Sequence, residues 1–554
     1  MEEDQTVSTS NLSRRGFLHK SLTGAAVAAA FPSISMSDPR RDAPLPFADI
    51  QPGELDEMTI SELAEKMTSG TYTSRSVTEM YLARIESVDR QGPALHSVIE
   101  LNPEALAIAD ALDKERKEHG PRGPLHGIPV LIKDNIDTAD RMSTTAGSLA
   151  LVGARPPEDA FLVQQLRRAG AVIMGKTNLS EWANIRSNHS TSGWSGRGGL
   201  TKNPYALDRN TSGSSSGSAA AVAANLCAAA VGTETDGSIV SPSSINGIVG
   251  LKPTVGLVSR TGVIPISHSQ DTPGPMTRTV RDAAILLGAL AGIDKNDPAT
   301  TGNHRTPVDY VQHLDSNGLK GVRIGVVRKY FGFLPGVDEV MKDALEALTA
   351  HGAILIDPAD ITTLGKFDDS ETIVLHYELK ADLNTYLARL GPDAPVHSLK
   401  EIIQYNLQHS TTEMPFFGQE TFLKAEAKGP LTSKEYLDAL KKNHQLARKQ
   451  GIDAVMDKYK LDALVAPTDG PGWVTDLITG DHYIGGSSTA AAVAGYPSIT
   501  VPAGSLFGMP VGISFFGRPW REALLIRLAY AYEQATKARR QPRFLLTAQT
   551  NLVR

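Results

Sequence analysis

The run TETDGSIVSPSS, residues 233–244, places hydroxyl and carboxyl side chains between two segments that are almost wholly apolar. It contains two acids, one glycine and four serines, whereas residues 226–231 before it and 245–251 after it are nearly all apolar. Burying polar groups costs free energy unless their hydrogen bonds are satisfied. We therefore expect this run to line a pocket, and one of its serines to be a nucleophile.

The bulk composition excludes several classes of protein. Over 554 residues the net charge is −6, which provides no basic surface for a nucleic acid. The hydrophobic and charged fractions, 41% and 21%, are those of an ordinary globular protein. Because Cys227 is the single cysteine, no intramolecular disulfide and no cysteine-based metal cluster can form. Its alanine-rich surroundings predict a small buried residue.

The N-terminus has the order of a secretory signal. Arg14 and Arg15 precede a short apolar run, residues 22–31, and the arginine pair resembles a twin-arginine export signal. This run is too short for a stable membrane anchor, and no later segment approaches 18 uninterrupted apolar residues. We predict a signal peptide over residues 1–36, an N-terminal extension over 37–57, and export to the periplasm or the medium.

Helical and short apolar segments alternate through the rest of the chain, which indicates an α/β protein. Thr59 and Glu62 have the spacing of a capping box at a helix start. GIPVLIKDNI and AVIMGKTN, residues 127–136 and 171–178, predict buried strands, as do three short apolar runs between residues 461 and 517. An amphipathic helix is predicted near the C-terminus, over residues 523–540.

Two longer segments complete the expected organisation. The alanine-rich residues 219–232 carry no charge and predict one fully buried helix. Residues 294–460 are more polar and predict a helical insertion that helps to shape a pocket. We expect one large α/β domain, residues 58–545, with a largely buried sheet assembled from the whole chain.

Three polar patches could carry chemistry. Lys133 directly follows an apolar strand, and desolvation there lowers the pKa of an amine until it can act as a base. Residues 211–222 contain five serines at the start of a predicted helix. The turn at residues 235–238 can direct successive backbone N–H groups at one developing oxyanion. Together they indicate nucleophilic catalysis by serine and lysine, without histidine.

The motifs GIPVLIKDNIDT, GSSSGSAAAVAANLCAAAVGTETDGSIVSPSSINGIVGLKP and AGYPSITVPAG resemble the amidase signature family. The similarity runs from about residue 59 to the C-terminus. Within the family, TETDGSI, FGQE and ISFFGRPW are most similar to the bacterial peptide amidases. The resemblance implies an α/β/α fold with a mixed, twisted central sheet flanked by helices and a signature core at about residues 127–280. It also implies a hydrolase that cleaves carboxamide C–N bonds through an acyl-enzyme. It favours C-terminal peptide amides as substrates, and a general aliphatic or aryl amidase is the alternative.

The resemblance also assigns roles by position. Lys133 becomes the buried general base, Ser214 the bridging serine that follows a cis peptide bond, and Ser238 the nucleophile. The implied oxyanion hole consists of the backbone N–H groups of Thr235, Asp236, Gly237 and Ser238. The implied substrate contacts are Asn188, Ser190, Thr191 and Asp236. No metal, cofactor or nucleic acid is expected, and the expected partner is a small-molecule or peptide amide.

Two positions depart from the commonest family pattern, in which the run reads GGSIR. Asp236 replaces the first glycine, so a carboxylate stands beside the expected oxyanion site and should affect substrate choice. Val240 replaces the arginine and removes a hydrogen-bonding group, so packing there must differ.

Other functions remain as alternatives. GSSSG fits the nucleophile elbow of an α/β-hydrolase with Ser215 at its centre, but no apolar strand precedes it. A transamidase subunit shares the family motifs, but it works in the cytosol and usually has TGGSIRQPA where this chain has TDGSIVSPS. An exported solute-binding protein would not need Lys133, Ser214 and Ser238 together. No histidine pair has zinc-site spacing, and His268 and His482 are interpreted as loop residues.

Overall fold

Eleven β-strands form one mixed sheet at the centre of the protein, in the spatial order β1-β3-β2-β6-β8-β7-β12-β13-β11-β9-β10. The strands of this sheet and of a separate two-stranded ribbon, β4–β5, are β1 Val98–Leu101, β2 Pro129–Lys133, β3 Val172–Thr177, β4 Trp194–Ser195, β5 Gly199–Leu200, β6 Ala229–Glu234, β7 Val249–Lys252, β8 Thr272–Thr277, β9 Arg323–Val326, β10 Ile354–Ile356, β11 Ala463–Pro467, β12 Ser498–Leu506 and β13 Met509–Phe516.

The α-helices that flank the sheet are α1 Ile60–Thr68, α2 Ser74–Arg84, α3 Ala105–His119, α4 Phe161–Arg168, α5 Ser216–Ala223, α6 Val240–Ile245, α7 Val280–Leu290, α8 Pro298–Thr301, α9 Pro335–Ala350, α10 Asp368–Arg389, α11 Leu399–Gln408, α12 Ser410–Glu413, α13 Glu420–Glu426, α14 Lys434–Asn443, α15 Asp453–Tyr459, α16 Thr489–Ala494 and α17 Glu522–Thr536. This computed structural model describes residues 52–301 and 309–550. The predicted signal peptide and most of the predicted N-terminal extension lie outside the described residues.

Most of the predicted local structure is confirmed. Thr59 and Glu62 form a reciprocal capping box at the start of α1, each side chain accepting a hydrogen bond from the backbone of the other residue. The two apolar runs before residue 180 are β2 and β3, and every residue of both strands is buried. The last apolar runs are β11, β12 and β13, followed by the amphipathic helix α17.

The alanine-rich segment is not one helix, and that prediction was wrong. α5 ends at Ala223, Asn225 has a left-handed backbone (φ 59°), and Ala229–Glu234 continues as strand β6. Every residue of 219–232 is buried, as predicted. Alanine fits both helix and strand when its surroundings are wholly apolar, so composition alone did not reveal the change of structure.

The middle segment is also more than a helical insertion. It supplies β9 and β10, and β9 pairs in parallel with β11 of the central sheet. Residues 294–460 therefore complete one edge of the sheet, while α10 packs against α13 and α14. Within the described residues, no helix combines the length and the apolarity that are needed to cross a bilayer.

Candidate active site

The parallel strands β2 and β6 bring the polar patches together. Residues 130–132 of β2 pair with residues 229–231 of β6, so both strands end at the same edge of the sheet. Lys133 is the last residue of β2, and the run 235–239 directly follows β6. The carboxyl edge of parallel strands is the usual place for sites in α/β proteins. The two patches that are about 100 positions apart in sequence thus face one another.

Lys133 is fully buried among hydroxyl groups. Its Nζ donates to Ser214 Oγ at 2.7 Å, to Thr233 Oγ1 at 2.9 Å and to the Thr233 carbonyl at 3.2 Å. Thr233 Oγ1 also accepts a hydrogen bond from Asn135 Nδ2 at 3.0 Å. Burial lowers the pKa of Lys133 to about 7, although the carboxylates of Asp271 and Glu234 act in the opposite direction. A large fraction of the amine is therefore neutral near neutral pH and can accept a proton.

Ser214 lies between the lysine and the turn that carries Ser238. It is fully buried, the peptide bond between Gly213 and Ser214 is cis, and the Ser214 carbonyl accepts the N–H of Ser180 at 3.0 Å. The N–H of Ser215 donates to the Ser238 carbonyl at 3.2 Å. This contact holds the backbone of the 214–215 segment against that of the nucleophile candidate.

Ser238 lies in the tight connection between β6 and α6, and 8% of its surface is exposed. The Glu234 carboxylate closes this connection, because its Oε2 accepts the N–H of Ile239 at 2.8 Å and that of Val240 at 3.0 Å. Gly237 has a φ of +80°, and a Cβ there would come within 3.0 Å of Ser488 Oγ. The positive φ therefore favours glycine beside the nucleophile candidate, and a side chain there would press against Ser488.

The predicted oxyanion donors are available. Within residues 52–301 and 309–550, the backbone N–H groups of all four predicted donors, Thr235, Asp236, Gly237 and Ser238, donate to no protein acceptor. Buried or half-buried N–H groups without a partner are uncommon in folded proteins, and here they occur in succession on one turn. Asp236 Oδ1 accepts a hydrogen bond from Ser488 Oγ at 2.6 Å. Burial raises the pKa of Asp236 above its usual value.

Among the described residues, the predicted substrate contacts Asn188, Ser190 and Thr191 form no hydrogen bond with Lys133, Ser214 or Ser238. The N–H of Asn188 donates to Glu420 Oε1, and the Ser190 hydroxyl bonds to carbonyls of its own loop. Thr191 is buried, and its hydroxyl has no partner among the described residues. Asn188 is exposed, and within the described residues its Nδ2 donates to no acceptor, so its side chain is open to a ligand, whereas Thr191 is enclosed.

Sequence reasoning missed the residues that surround the lysine and the turn. Thr233 belongs to the run 233–244. Because successive side chains of a strand point to opposite faces, the sequence could have assigned Thr233 and Glu234 to different faces of β6. Asn135 stands two residues after Lys133, so the sequence could also have suggested it as a neighbour of the site. Ser488 and Asp271 are brought in from distant segments, and no local pattern marks them.

The structure also places three other side chains that the sequence singled out. Ser215 is fully buried, and its hydroxyl donates to the Thr233 carbonyl and accepts the Thr233 N–H, so it is not presented to a ligand. Cys227 is buried as predicted, and burial raises the pKa of its thiol to about 12. His268 is not an isolated loop residue, because it contacts Asp382 and Glu378 of α10. The histidine and these two acids are also the described side chains whose ligand-type atoms lie within 4.8 Å of one another.

Comparisons with known proteins find similarity to amidases along most of the chain. The family model described as Amidase matches residues 76–526. The crystal structure of the native peptide amidase of Stenotrophomonas maltophilia is 51% identical, has a TM-score of 0.85, and covers 89% of this chain and 100% of that chain. A probable amidase of Arabidopsis thaliana is 44% identical over 89% of this chain and 92% of its own length. A glutamyl-tRNA(Gln) amidotransferase subunit of Chloroflexus aurantiacus is 36% identical over 87% and 98%.

The family match and these relatives identify the protein as a hydrolase that acts on amides. The chain belongs to the amidase family.

Proposed function

We propose that this amidase removes the amide group from C-terminally amidated peptides through an acyl-enzyme on Ser238. The observation that carries the proposal is the contact of 2.7 Å between the buried Lys133 Nζ and Ser214 Oγ, at the edge of the sheet where the turn carrying Ser238 begins. A buried amine whose pKa lies near 7 can act as a base, whereas an exposed lysine is almost fully protonated.

In the proposed mechanism, protons move along the path from Ser238 through Ser214 to Lys133. Ser238 Oγ attacks the amide carbonyl and passes its proton to Ser214, while Ser214 passes its own proton to Lys133. The negative charge on the carbonyl oxygen is stabilised by the free N–H groups of Asp236, Gly237 and Ser238. When the C–N bond breaks, the proton returns through Ser214 to the nitrogen, and ammonia leaves. A water molecule then attacks the ester carbonyl and passes a proton through Ser214 to Lys133. The proton returns to Ser238 Oγ as the ester bond breaks, and the acid leaves.

Two observations support a peptide amide as the substrate. The similar structure from Stenotrophomonas is that of a peptide amidase, at 51% identity. In addition, Asp236 places a half-buried carboxyl group beside the candidate oxyanion donors. A negative charge there favours a neutral carboxamide end over the carboxylate end of an ordinary peptide.

The proposal is tested by measuring ammonia release from a C-terminally amidated dipeptide, with an aliphatic amide and an aryl amide measured alongside. We expect the highest kcat/KM with the dipeptide amide. Activity on the simple amides alone would refute the peptide assignment and retain a general amidase. If no amide released ammonia, transamidation of the kind named for the amidotransferase relative would become the better hypothesis.

The pH dependence of this activity follows from the state of Lys133. Only the neutral amine accepts a proton, so kcat/KM is expected to rise as pH increases toward the pKa of about 7. The expected slope below this pKa is about one logarithmic unit of kcat/KM per pH unit. A kcat/KM that stays constant from about pH 5 to pH 8 would show that no group of this pKa must lose its proton.

We further propose that residues 1–36 direct export by the twin-arginine route. The support is the arginine pair Arg14–Arg15, followed by the short apolar run 22–31. Replacing both residues by lysine (Arg14→Lys with Arg15→Lys) is expected to leave the uncleaved chain in the cytoplasm, as measured by cell fractionation and the mass of the recovered protein. Export that is unaffected by this change would refute the route.

A further inference from the structure

A five-residue turn, residues 267–271, links helix α10 to the oxyanion turn. On the side of the oxyanion turn, Asp271 Oδ1 accepts the Thr235 hydroxyl at 2.6 Å, and Gln270 Nε2 donates to the Thr235 carbonyl at 3.3 Å. Asp271 Oδ2 also accepts the N–H groups of Ile266 and Ser267, both at 2.8 Å, which makes the turn rigid around its own carboxylate. Thr235 is therefore held from both its side chain and its backbone.

The other side of this turn is hydrogen-bonded to three carboxylates of α10. Glu371, Glu378 and Asp382 follow one another at intervals of seven and four residues, so they share one face of the helix. Gln270 Nε2 donates to Glu371 Oε1 at 2.8 Å. The Ser269 N–H and hydroxyl donate to the two oxygens of Glu378 at 3.0 and 2.6 Å.

His268 is the group of this turn that can carry a positive charge toward these carboxylates. Its Nδ1 lies 2.8 Å from Asp382 Oδ2 and its Nε2 lies 3.2 Å from Glu378 Oε1. The backbone N–H of His268 donates to the same Asp382 oxygen at 3.0 Å. An imidazolium has an N–H on each nitrogen and can satisfy both carboxylates, whereas a neutral ring can donate to one.

The other charged or titratable groups that face His268 are few. Tyr436 of α14 has its hydroxyl 3.4 Å from Nε2 and donates to Glu378 Oε1 at 2.7 Å. The Arg260 guanidinium bonds to the His268 carbonyl, and its charge opposes protonation of the ring. Burial also lowers the pKa of His268, but the hydrogen bond to Asp382 and the charge of Glu378 outweigh both effects and raise it above the usual value.

Glu378 shows what is lost when the ring is neutral. Its carboxylate is fully buried. It accepts hydrogen bonds from hydroxyl and amide groups of Ser267, Ser269 and Tyr436, which are all neutral donors. A buried carboxylate without a nearby cation is costly. Loss of the proton on His268 therefore weakens the attachment of the turn to α10.

We propose that protonated His268 is a positioning residue that holds the oxyanion turn in its reactive shape, acting through Gln270, Asp271 and Thr235. This inference rests on the proposed function, because it assigns the turn at Thr235 to the oxyanion site. His268 does not touch the reacting atoms. Its effect is expected in kcat rather than in KM, because the oxyanion forms only after the substrate is bound.

The direction of the pH effect follows from the raised pKa of His268. A group whose pKa is higher in the folded state stabilises the protein fully below its unfolded pKa, and this stabilisation is lost as pH rises through the folded pKa. His268 thus contributes most in acid, and a neutral substitute should resemble the wild type in alkali.

The test compares His268→Gln with His397→Gln, both measured from about pH 6 to pH 9. His397 is a matched control, because it is equally exposed (43% of each side chain) and pairs with a carboxylate, Glu401 of α11. We expect kcat of His268→Gln to be about tenfold below the wild type at about pH 6 and equal to it at about pH 9, with KM unchanged. His397→Gln should match the wild type throughout.

Thermal unfolding provides a second readout that needs no activity. The Tm of His268→Gln should lie below that of the wild type in acid, and the two should converge as pH rises. Asp382→Asn, which keeps the histidine and removes its partner, should reproduce both effects. A ratio of kcat values or a Tm difference that does not change with pH would overturn the proposal. So would a Zn²⁺-dependent rise in Tm that requires His268, because the cluster would then be a metal site.

Failure of the proposed function would look different. A wild-type protein that hydrolyses no amide refutes the peptide amidase proposal, while the Tm comparison still decides whether His268 holds the turn.

Discussion

Ser238→Ala is expected to lower kcat for amide hydrolysis by about 10⁴-fold or more, while Tm stays close to that of the wild type. The variant lacks the oxygen that forms the acyl bond in the proposed mechanism, and we expect neither Ser214 nor Ser215 to replace it. Ser214 is buried against Lys133, and the hydroxyl of Ser215 is engaged by the backbone of Thr233. Stability should be nearly unchanged, because no protein hydrogen bond depends on the Ser238 hydroxyl among the described residues. Ammonia release measures the loss, and circular dichroism checks the fold.

Ser243→Ala is the matched control for this prediction. Ser243 lies in the same run 233–244, is fully buried, and has a hydroxyl without a partner among the described residues. Its removal leaves no group unpaired, so activity and Tm should both be retained. If Ser238→Ala retained activity similar to that of Ser243→Ala, the nucleophile would have to be another residue.

Lys133→Met is expected to abolish measurable turnover while the protein remains at least as stable as the wild type. The activity is lost because no base remains to accept the proton from Ser214. The stability follows from the pKa of about 7, which lies below the unfolded value of about 10.4. Keeping this lysine costs about 4 kcal/mol of unfolding free energy at pH 7. The cost disappears as pH rises from about 7 toward the unfolded pKa.

Methionine has a similar length and no charge, so it removes this cost and leaves two hydroxyls with fewer partners. The measurement is Tm against pH, for which Lys176→Met offers a contrast. Lys176 is also fully buried, but it compensates the carboxylates of Asp134 and Asp137. Its loss should destabilise the protein. A Lys133→Met variant that retains turnover would contradict the role of the lysine.

The sequence predicted those parts of the fold in which local chemistry and periodicity agree. The capping box at Thr59 and Glu62 needs only residues three positions apart, and β2 and β3 are apolar runs of strand length. β9 and β10 were missed because they have four and three residues and lie within a polar segment. Their pairing with the sheet depends on contacts with β11, which no local pattern encodes.

The residues of the candidate site also divide into those that the sequence marks and those that only the folded chain brings together. Lys133, Ser214 and Ser238 were found because a family pattern marks them, and the structure places Lys133 beside Ser214. The Asp271–Thr235 and Ser488–Asp236 hydrogen bonds join residues 36 and 252 positions apart, so they emerge only once the chain is folded. His268 was interpreted as a loop residue because its partners stand 110 and 114 positions away on α10.

The central claim, that Ser238 is the nucleophile activated by Lys133, is tested most directly by covalent labelling with a fluorophosphonate. Such a reagent phosphonylates an activated serine, and mass spectrometry of the digested protein identifies the modified residue. The account predicts a single adduct on Ser238 in the wild type and in Ser243→Ala, and much slower labelling in Lys133→Met. An adduct on Ser215, or labelling of Ser238 at the wild-type rate without Lys133, would contradict it.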